Sequence, residues 1–484
     1  MTRAWGLWAA VTLFFVSGAT GLAYEVLWFR RFSHIWGAST LAMGTVVASF
    51  LLGLGIGAHL LGRRADAMKS PLRGYGWCEG GIAVFALLIP FECALLSAIA
   101  SRLYPALHGS PLLYTFVRGL LTFLVIGPPC ILMGGTFPLL VRQFVSGDVG
   151  PTAGLLYAVN TVGAALGCYL TGFHLLPWLG LTGTNGVAAL LNLGVAAAAI
   201  VLARRLGSAP PIPRETPPGA PAPGIPSSGA LFGAAALSGF AALLLQMVWT
   251  RQLCVLLGGS TYALTATLFV ILLGIGGGSL LFRVILPKLR DPASAAGVAL
   301  GLLVLSAGAT RLLVPPLTFA VGLAGPLRSL EVGNAAVCVS ASAAIELLPS
   351  IGMGFVFPLL VHLTRCGTTN AGRAVGSVYA WNTAGSIFGA SATAPVGLAL
   401  LGGAWTTATG LALYFVSALL LLPLRGRRAI GVLAGVSLLS IAGIALAARK
   451  LDPRITDQGM YLYGYRDPDR REVIYFKEGA SCNV

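Results

Sequence analysis

The residues with the most chemistry in this chain are charges and amides set inside apolar runs. Glu25, Glu79, Glu92, Arg118 and Glu346 all fall there. A charge in hydrocarbon costs about 2.5 to 3.5 kcal/mol on insertion scales, so such a group is paired or functional. Glu25 stands three residues before Trp28 and five before Arg30. A carboxylate lining a cavity beside aromatic rings suits an organic cation, through ion pairing and cation–π contact. The alternative is that Arg118 neutralises Glu25 or Glu79 within a helix bundle. Tyr157 and Asn160 are three apart and share a helical face, as do Tyr379 and Asn382. An amide in hydrocarbon needs a partner, so these faces turn inward, either as a polar cavity lining or as an interhelical hydrogen-bond clasp.

Other constellations read as architecture. Gly53-x-Gly55-x-Gly57 and Gly274-x-Gly276-Gly277-Gly278 lie inside apolar spans, with no preceding strand and no suitably placed acid, so close helix packing replaces nucleotide binding. Gly163-x-x-x-Gly167 and Gly385-x-x-x-Gly389 carry the small-residue spacing that lets two helix backbones approach. The eight cysteines are scattered without a C-x-x-C pair, and the five histidines show no metal spacing. No metal, cofactor or catalytic residue is expected.

The elements that position these residues follow from composition. The chain has 484 residues, 56% hydrophobic and only 10% charged, with a mean hydropathy of +0.85. An average soluble domain carries about a quarter charged residues, so this chain is built for lipid. Its net charge of +16 belongs to cytoplasmic loops and anionic headgroups, and nucleic acid is not expected as a partner. Apolar runs long enough to cross as helices extend from Trp5 to Tyr24, Ala38 to Leu61, Tyr75 to Ala100, Leu112 to Val141, Pro151 to Leu176 and Leu181 to Ala203. A second set covers Leu231 to Val248, Thr261 to Phe282, Ala295 to Val314, Asn334 to His362, Gly372 to Leu400 and Ala404 to Leu424, and a thirteenth runs from Ala429 to Ala448. The expected fold is an all-α polytopic membrane protein.

The two sets are copies. Ser17-Gly18, Trp28, Arg30, Gly53 and Gly57 recur 221 positions later as Ser238-Gly239, Trp249, Arg251, Gly274 and Gly278. Met133-Gly134 and Phe137-Pro138-Leu139 recur at 220 as Met353-Gly354 and Phe357-Pro358-Leu359, and Tyr157, Asn160 and Gly163 at 222 as Tyr379, Asn382 and Gly385. Three blocks in register mark a duplication. The expected organisation is repeat 1 over residues 1–207, a proline-rich linker over 208–228, repeat 2 over 229–425, an extra helix over 426–448 and a tail over 449–484. The copies disagree in charge: Glu25 against Gln246, Arg118 against Cys338, Ile126 against Glu346.

With the N-terminus cytoplasmic, seventeen flanking basic residues fall on that side, against six (Arg30, Arg31, Arg102, Arg251, Arg311, Arg328) opposite. The positive-inside rule therefore favours that orientation, and six spans per repeat give both repeats the same direction. This is the arrangement of major-facilitator transporters. Gly57-x-x-x-x-Gly62-Arg63-Arg64-Ala65-Asp66 resembles that superfamily's cytoplasmic loop motif, although the same charges also read as merely solvated.

Three patterns together resemble a more specific group. They are Ser17-Gly18-x-x-Gly21-x-x-Tyr24-Glu25-Val26-x-Trp28-x-Arg30, Met133-Gly134-x-Thr136-Phe137-Pro138 and Tyr157-Ala158-x-Asn160-Thr161-x-Gly163. They are similar to bacterial proteins that fuse a major-facilitator-like membrane domain to a spermidine synthase domain. The resemblance implies a protein of the bacterial cytoplasmic membrane whose tail, with Val473 to Phe476 and a turn at Glu478-Gly479, opens a synthase-like domain as a β-hairpin. Thirteen spans from a cytoplasmic start put that tail outside, where a spermidine synthase is not expected to find its substrate.

Three functions stay open. One is a membrane module that binds or transports a small, polyamine-related cation, with Glu25, Trp28, Arg30, Glu79, Arg118, Tyr157, Asn160, Gln246, Trp249, Glu346, Tyr379 and Asn382 as cavity candidates. Another is the membrane part of an aminopropyltransferase whose catalytic domain is missing from this chain. The third is a scaffold for a soluble synthase partner, without transport.

Overall fold

A computed structural model of the chain describes residues 3–37, 40–65, 67–107, 109–144, 149–209, 226–258, 261–289, 291–325, 327, 331–365, 371–422 and 427–452. The tail expected to open a hairpin, most of the proline-rich linker and Asp66 lie outside the described residues.

Long apolar runs become long helices because a backbone in hydrocarbon must satisfy its own hydrogen bonds. Repeat 1 forms α1 (Arg3–Trp36), α2 (Thr40–Ala65), α3 (Pro71–Leu107), α4 (Pro111–Phe144), α5 (Val149–Leu170) and α6 (Leu176–Leu206). Repeat 2 forms α7 (Ser228–Leu257), α8 (Thr261–Ile285), α9 (Pro292–Ala309), α10 (Val314–Leu323), α11 (Glu331–Arg365), α12 (Ala371–Ala392) and α13 (Gly402–Leu421), followed by α14 (Arg427–Ala447). The fold is all-α and polytopic.

Eleven helical stretches among the described residues are long and apolar enough to cross a membrane. Two of them, Gly154–Leu206 and Gly376–Leu421, are 53 and 46 residues long. At 1.5 Å per residue these lengths come to about 80 and 70 Å, more than twice a hydrocarbon core of about 30 Å, so each contains two spans. The breaks are visible: π-helical segments Thr171–Leu175 and Thr393–Leu401 lead into Gly180 (φ 65°) and Gly402 (φ 74°), 222 residues apart. Each glycine takes a backbone conformation open almost solely to glycine and marks a turn without a polar loop. Thirteen spans result among the described residues.

Two span ends differ from the sequence expectation. The first helix does not stop at Tyr24 but continues to Trp36, and its counterpart passes Val248 to reach Leu257. Hydropathy falls at Glu25 and Arg30, yet Trp28, Phe32 and Trp36 are buried on the same helix, and that packing carries it onward.

The chain divides into two compact units, Met1–Pro218 with Thr368–Ile387, and Gly219–Gly367 with Phe388–Val484. In the first, α2 packs on α4, α1 on α5 and α3 on α6; in the second, α8 packs on α11, α7 on α13 and α9 on both α13 and α14. Glycines permit these crossings. A Cβ at Gly57 would enter the Ile131 carbonyl and one at Gly134 the Leu54 carbonyl; Gly278 and Gly354 stand likewise against Ile351 and Ile275. Leu88, Phe91, Leu95 and Trp178 are exposed, as residues facing lipid should be.

Candidate functional site

Glu25 lies well inside α1. It is half-buried, and among the described residues it forms no hydrogen bond or ion pair. The buried thiols of Cys130 on α4 and Cys168 on α5 lie within its electrostatic range. Beside it Tyr24 and Trp28 stack with ring centroids 5.1 Å apart, and Phe50 stands 6.3 Å from Trp28. The buried Trp28 indole nitrogen has no hydrogen-bond partner. Arg30, two residues on, is exposed.

Glu79 is in the opposite situation. Fully buried on α3, it accepts a hydrogen bond from Ser17 Oγ on α1 and one of 2.6 Å from Asn192 Nδ2 on α6. Tyr24 donates to Asn192 Oδ1 at 3.4 Å. The Tyr75 hydroxyl stands against Ser17 and Glu79, without a hydrogen bond of good geometry. This network ties three helices together around one acid. Arg118 does not neutralise either carboxylate: it donates to Thr45 Oγ1 at 3.1 Å and lies 5.9 Å from the Tyr114 ring centroid. Glu92 is half-buried, with one enclosed oxygen lacking a partner.

The amide pairs behave differently from one another. Asn160 Nδ2 donates to the Phe14 carbonyl at 3.0 Å, binding α5 to α1 where Gly18 leaves room for it. Gly163 and Gly167 rest on the Phe15 and Ala19 carbonyls of the same helix. Within the first unit Tyr157 lies in electrostatic range of Tyr379, and Gly55 faces the Thr383 methyl. Asn382 is half-buried on α12. In the second unit Gln246 is half-buried, Trp249 is buried, and Glu346 is fully buried. Among the described residues no group of three or more His, Cys, Asp or Glu side chains could hold a metal.

Sequence reasoning missed Asn192 and the pairing of Ser17 with Glu79. Asn192 was visible as a polar residue in a run of leucine and alanine, seven after Asn185, whose amide donates to the Ala86 carbonyl at 2.7 Å. Its partner was not visible, because 113 residues separate Asn192 from Glu79.

No protein-family model matches the chain. A nucleoside transporter, NupG, superposes with a TM-score of 0.52 at 13% identity, covering 91% of this chain and 99% of that one. A bacterial homologue of the iron transporter ferroportin, in an inward-facing state, superposes with a TM-score of 0.51 at 14% identity, over 93% and 100%. These likenesses are of fold alone, an all-α polytopic arrangement shared over nearly the whole of each chain. A polyamine aminopropyltransferase of Corynebacterium efficiens is 26% identical over 205 residues, 40% of this chain, and the chain spans 35% of that relative.

Proposed function

We propose that the chain is the membrane module of a spermidine synthase-like fusion protein, and that it binds and moves a small organic cation of the polyamine class by alternating access. The observation that carries this reading is the contrast between two acids of repeat 1. Glu79 already has Ser17 and Asn192, whereas Glu25 has no partner among the described residues and lies on the same helix as the stacked Tyr24 and Trp28. An ammonium group would supply both the missing counter-charge and a cation–π contact. The polyamine class is favoured by the likeness to an aminopropyltransferase. In this reading the protein sits in the bacterial cytoplasmic membrane, N-terminus inside.

The test is uptake of labelled putrescine and spermidine by the full chain in proteoliposomes. Saturable uptake above protein-free vesicles is expected, with at least about a tenfold loss in Glu25→Gln, equivalent to about 1.4 kcal/mol of lost ion pairing. Background-level binding and uptake, unchanged by Glu25→Gln, would refute it.

The same likeness favours a second reading, in which the membrane part anchors an aminopropyltransferase. A methyltransferase-like coding region continuing after Val484, with aminopropyl transfer by the longer product, would support it.

A further inference from the structure

In the second unit, α11 carries polar side chains at four-residue intervals: Asn334, Cys338, Ser342, Glu346 and Ser350. Residues four apart lie nearly one above another on a helix, so the five make a file that climbs about 24 Å while winding about 160° around the axis, and Ser342, Glu346 and Ser350 span about 80° of it. Ser342, Glu346 and Ser350 have no exposed surface, and neither carboxyl oxygen of Glu346 nor either hydroxyl has a hydrogen-bond partner among the described residues.

A serine or threonine with no other role in a buried helix normally bonds a carbonyl one turn back. On this same helix Thr364 does so to Leu360 at 2.8 Å and Ser340 to Val337 at 3.2 Å. Ser342 and Ser350 do not. Each unsatisfied buried group costs about 1 to 3 kcal/mol, and more when charged, so three in succession need a reason. Pro349 adds to the site, because it supplies no N–H to the Ile345 carbonyl next to Glu346.

The first repeat shows that the architecture does not require this. At an offset of 220 the same file reads Tyr114, Arg118, Thr122, Ile126 and Cys130. There Thr122 accepts the Trp36 indole at 3.0 Å, Arg118 holds Thr45, and isoleucine replaces the acid. Gly53 faces Cys130 as Gly274 faces Ser350, so the helix contact is the same and only the polar content differs.

The surroundings narrow the ligand. Cys254 from α7 lies within electrostatic range of this acid, and Cys338 on α11 within range of Cys254. Arg251 on α7, Tyr262 and Arg283 on α8, and Arg311 between α9 and α10 form no ion pair or hydrogen bond with Glu346. Neither α9 nor α10 contains an ionisable residue. A bound metal cation needs several oxygens at once, commonly about six for hard cations. Ser342 and Ser350 are eight residues apart, about 12 Å along the axis, and cannot close on one ion together with Glu346. A proton needs only the carboxylate and a neighbouring acceptor.

We infer that Glu346 is a proton-binding site, with Ser342 and Ser350 as hydroxyl relays one turn to either side. Protonation adds one hydrogen to the carboxylate and leaves a neutral acid that the apolar bundle accommodates without a counter-ion. A role in coupling rests on the transport reading above; proton binding itself does not.

The test is pH-dependent infrared difference spectroscopy on the full chain in lipid nanodiscs, without any solute. The expected result is one protonated-carboxyl carbonyl band that is lost in Glu346→Gln, retained in Glu79→Gln, and removed reversibly as pH rises. Ser342→Ala and Ser350→Ala should shift its frequency. If Glu346→Gln does not fold, Glu346→Asp takes its place and should move the band. A spectrum without a band sensitive to position 346 overturns the inference, as does a band that sodium removes at fixed pH, which would mark a metal-cation site. Because no solute is present, failure here is separate from failure of uptake.

Discussion

The network around Glu79 makes a quantitative claim about which single change hurts most. Glu79→Leu removes the acceptor of the Ser17 and Asn192 hydrogen bonds. Ser17 can turn to a carbonyl one turn back, but the Asn192 amide loses its acceptor, at about 1 to 3 kcal/mol. Part of this is offset because a buried acid disappears. Asn192→Leu is worse, at about 3 to 5 kcal/mol, since it strips a fully buried carboxylate of one of its two hydrogen bonds and leaves the charge in place. The double variant removes acid and amide together and should recover part of the loss. Hydrogen bonds measured within membranes couple by about 0.6 kcal/mol on average and about 1.7 at most, so the double variant should fall about 0.6 to 1.7 kcal/mol short of the sum. Repeat 2 has made a comparable replacement, with buried Leu300 and Tyr414 at offsets of 221 and 222 from Glu79 and Asn192. The assay is thermal unfolding in detergent, followed by a thiol-reactive dye that reports exposure of the buried Cys78, Cys130, Cys168 and Cys338. The expected order of midpoints is wild type, Glu79→Leu, then Asn192→Leu, with the double variant above the additive value. Strict additivity, or a Glu79→Leu variant as stable as wild type, would refute the network as a structural unit.

Two further outcomes follow from backbone geometry. Gly57→Val and Gly278→Val should each cost about 1 to 3 kcal/mol by overpacking, since their side chains would enter the Ile131 and Ile351 carbonyls. Gly21→Ala, with nothing within 4 Å of the new carbon, should leave the unfolding midpoint unchanged or slightly raised. Gly180→Ala and Gly402→Ala should also cost about 1 to 3 kcal/mol, because both positions have positive φ with extended ψ. Gly186→Ala is the control, and monodisperse yield on size-exclusion chromatography provides the comparison.

The candidate residues show where sequence reading succeeds. The duplication and the packing glycines were legible because each is a local regularity: similar residues at fixed offsets, small residues four apart, apolar runs of a fixed length. The choice between cavity and clasp for Asn160 was not legible. It depended on whether the amide meets the Phe14 carbonyl 146 residues away. The question of an Arg118 ion pair was likewise open until Thr45 and Tyr114 proved to be the neighbours of that guanidinium. The turns at Gly180 and Gly402 lack a polar loop, yet both fall in the short gaps the sequence leaves between Leu176 and Leu181 and between Leu400 and Ala404.

By itself, the sequence determined that this is a duplicated helical membrane protein, because lipid demands long apolar helices and a duplicated pattern repeats its residues in register. It also marked the charges set inside apolar runs. Only the tertiary structure decided which of those charges are satisfied. Helix rotation and crossing set whether an acid within a span faces a serine and an amide, as Glu79 does, or no partner among the described residues, as Glu25 and Glu346 do. Those angles arise from packing between helices far apart in the chain, and no local period encodes them.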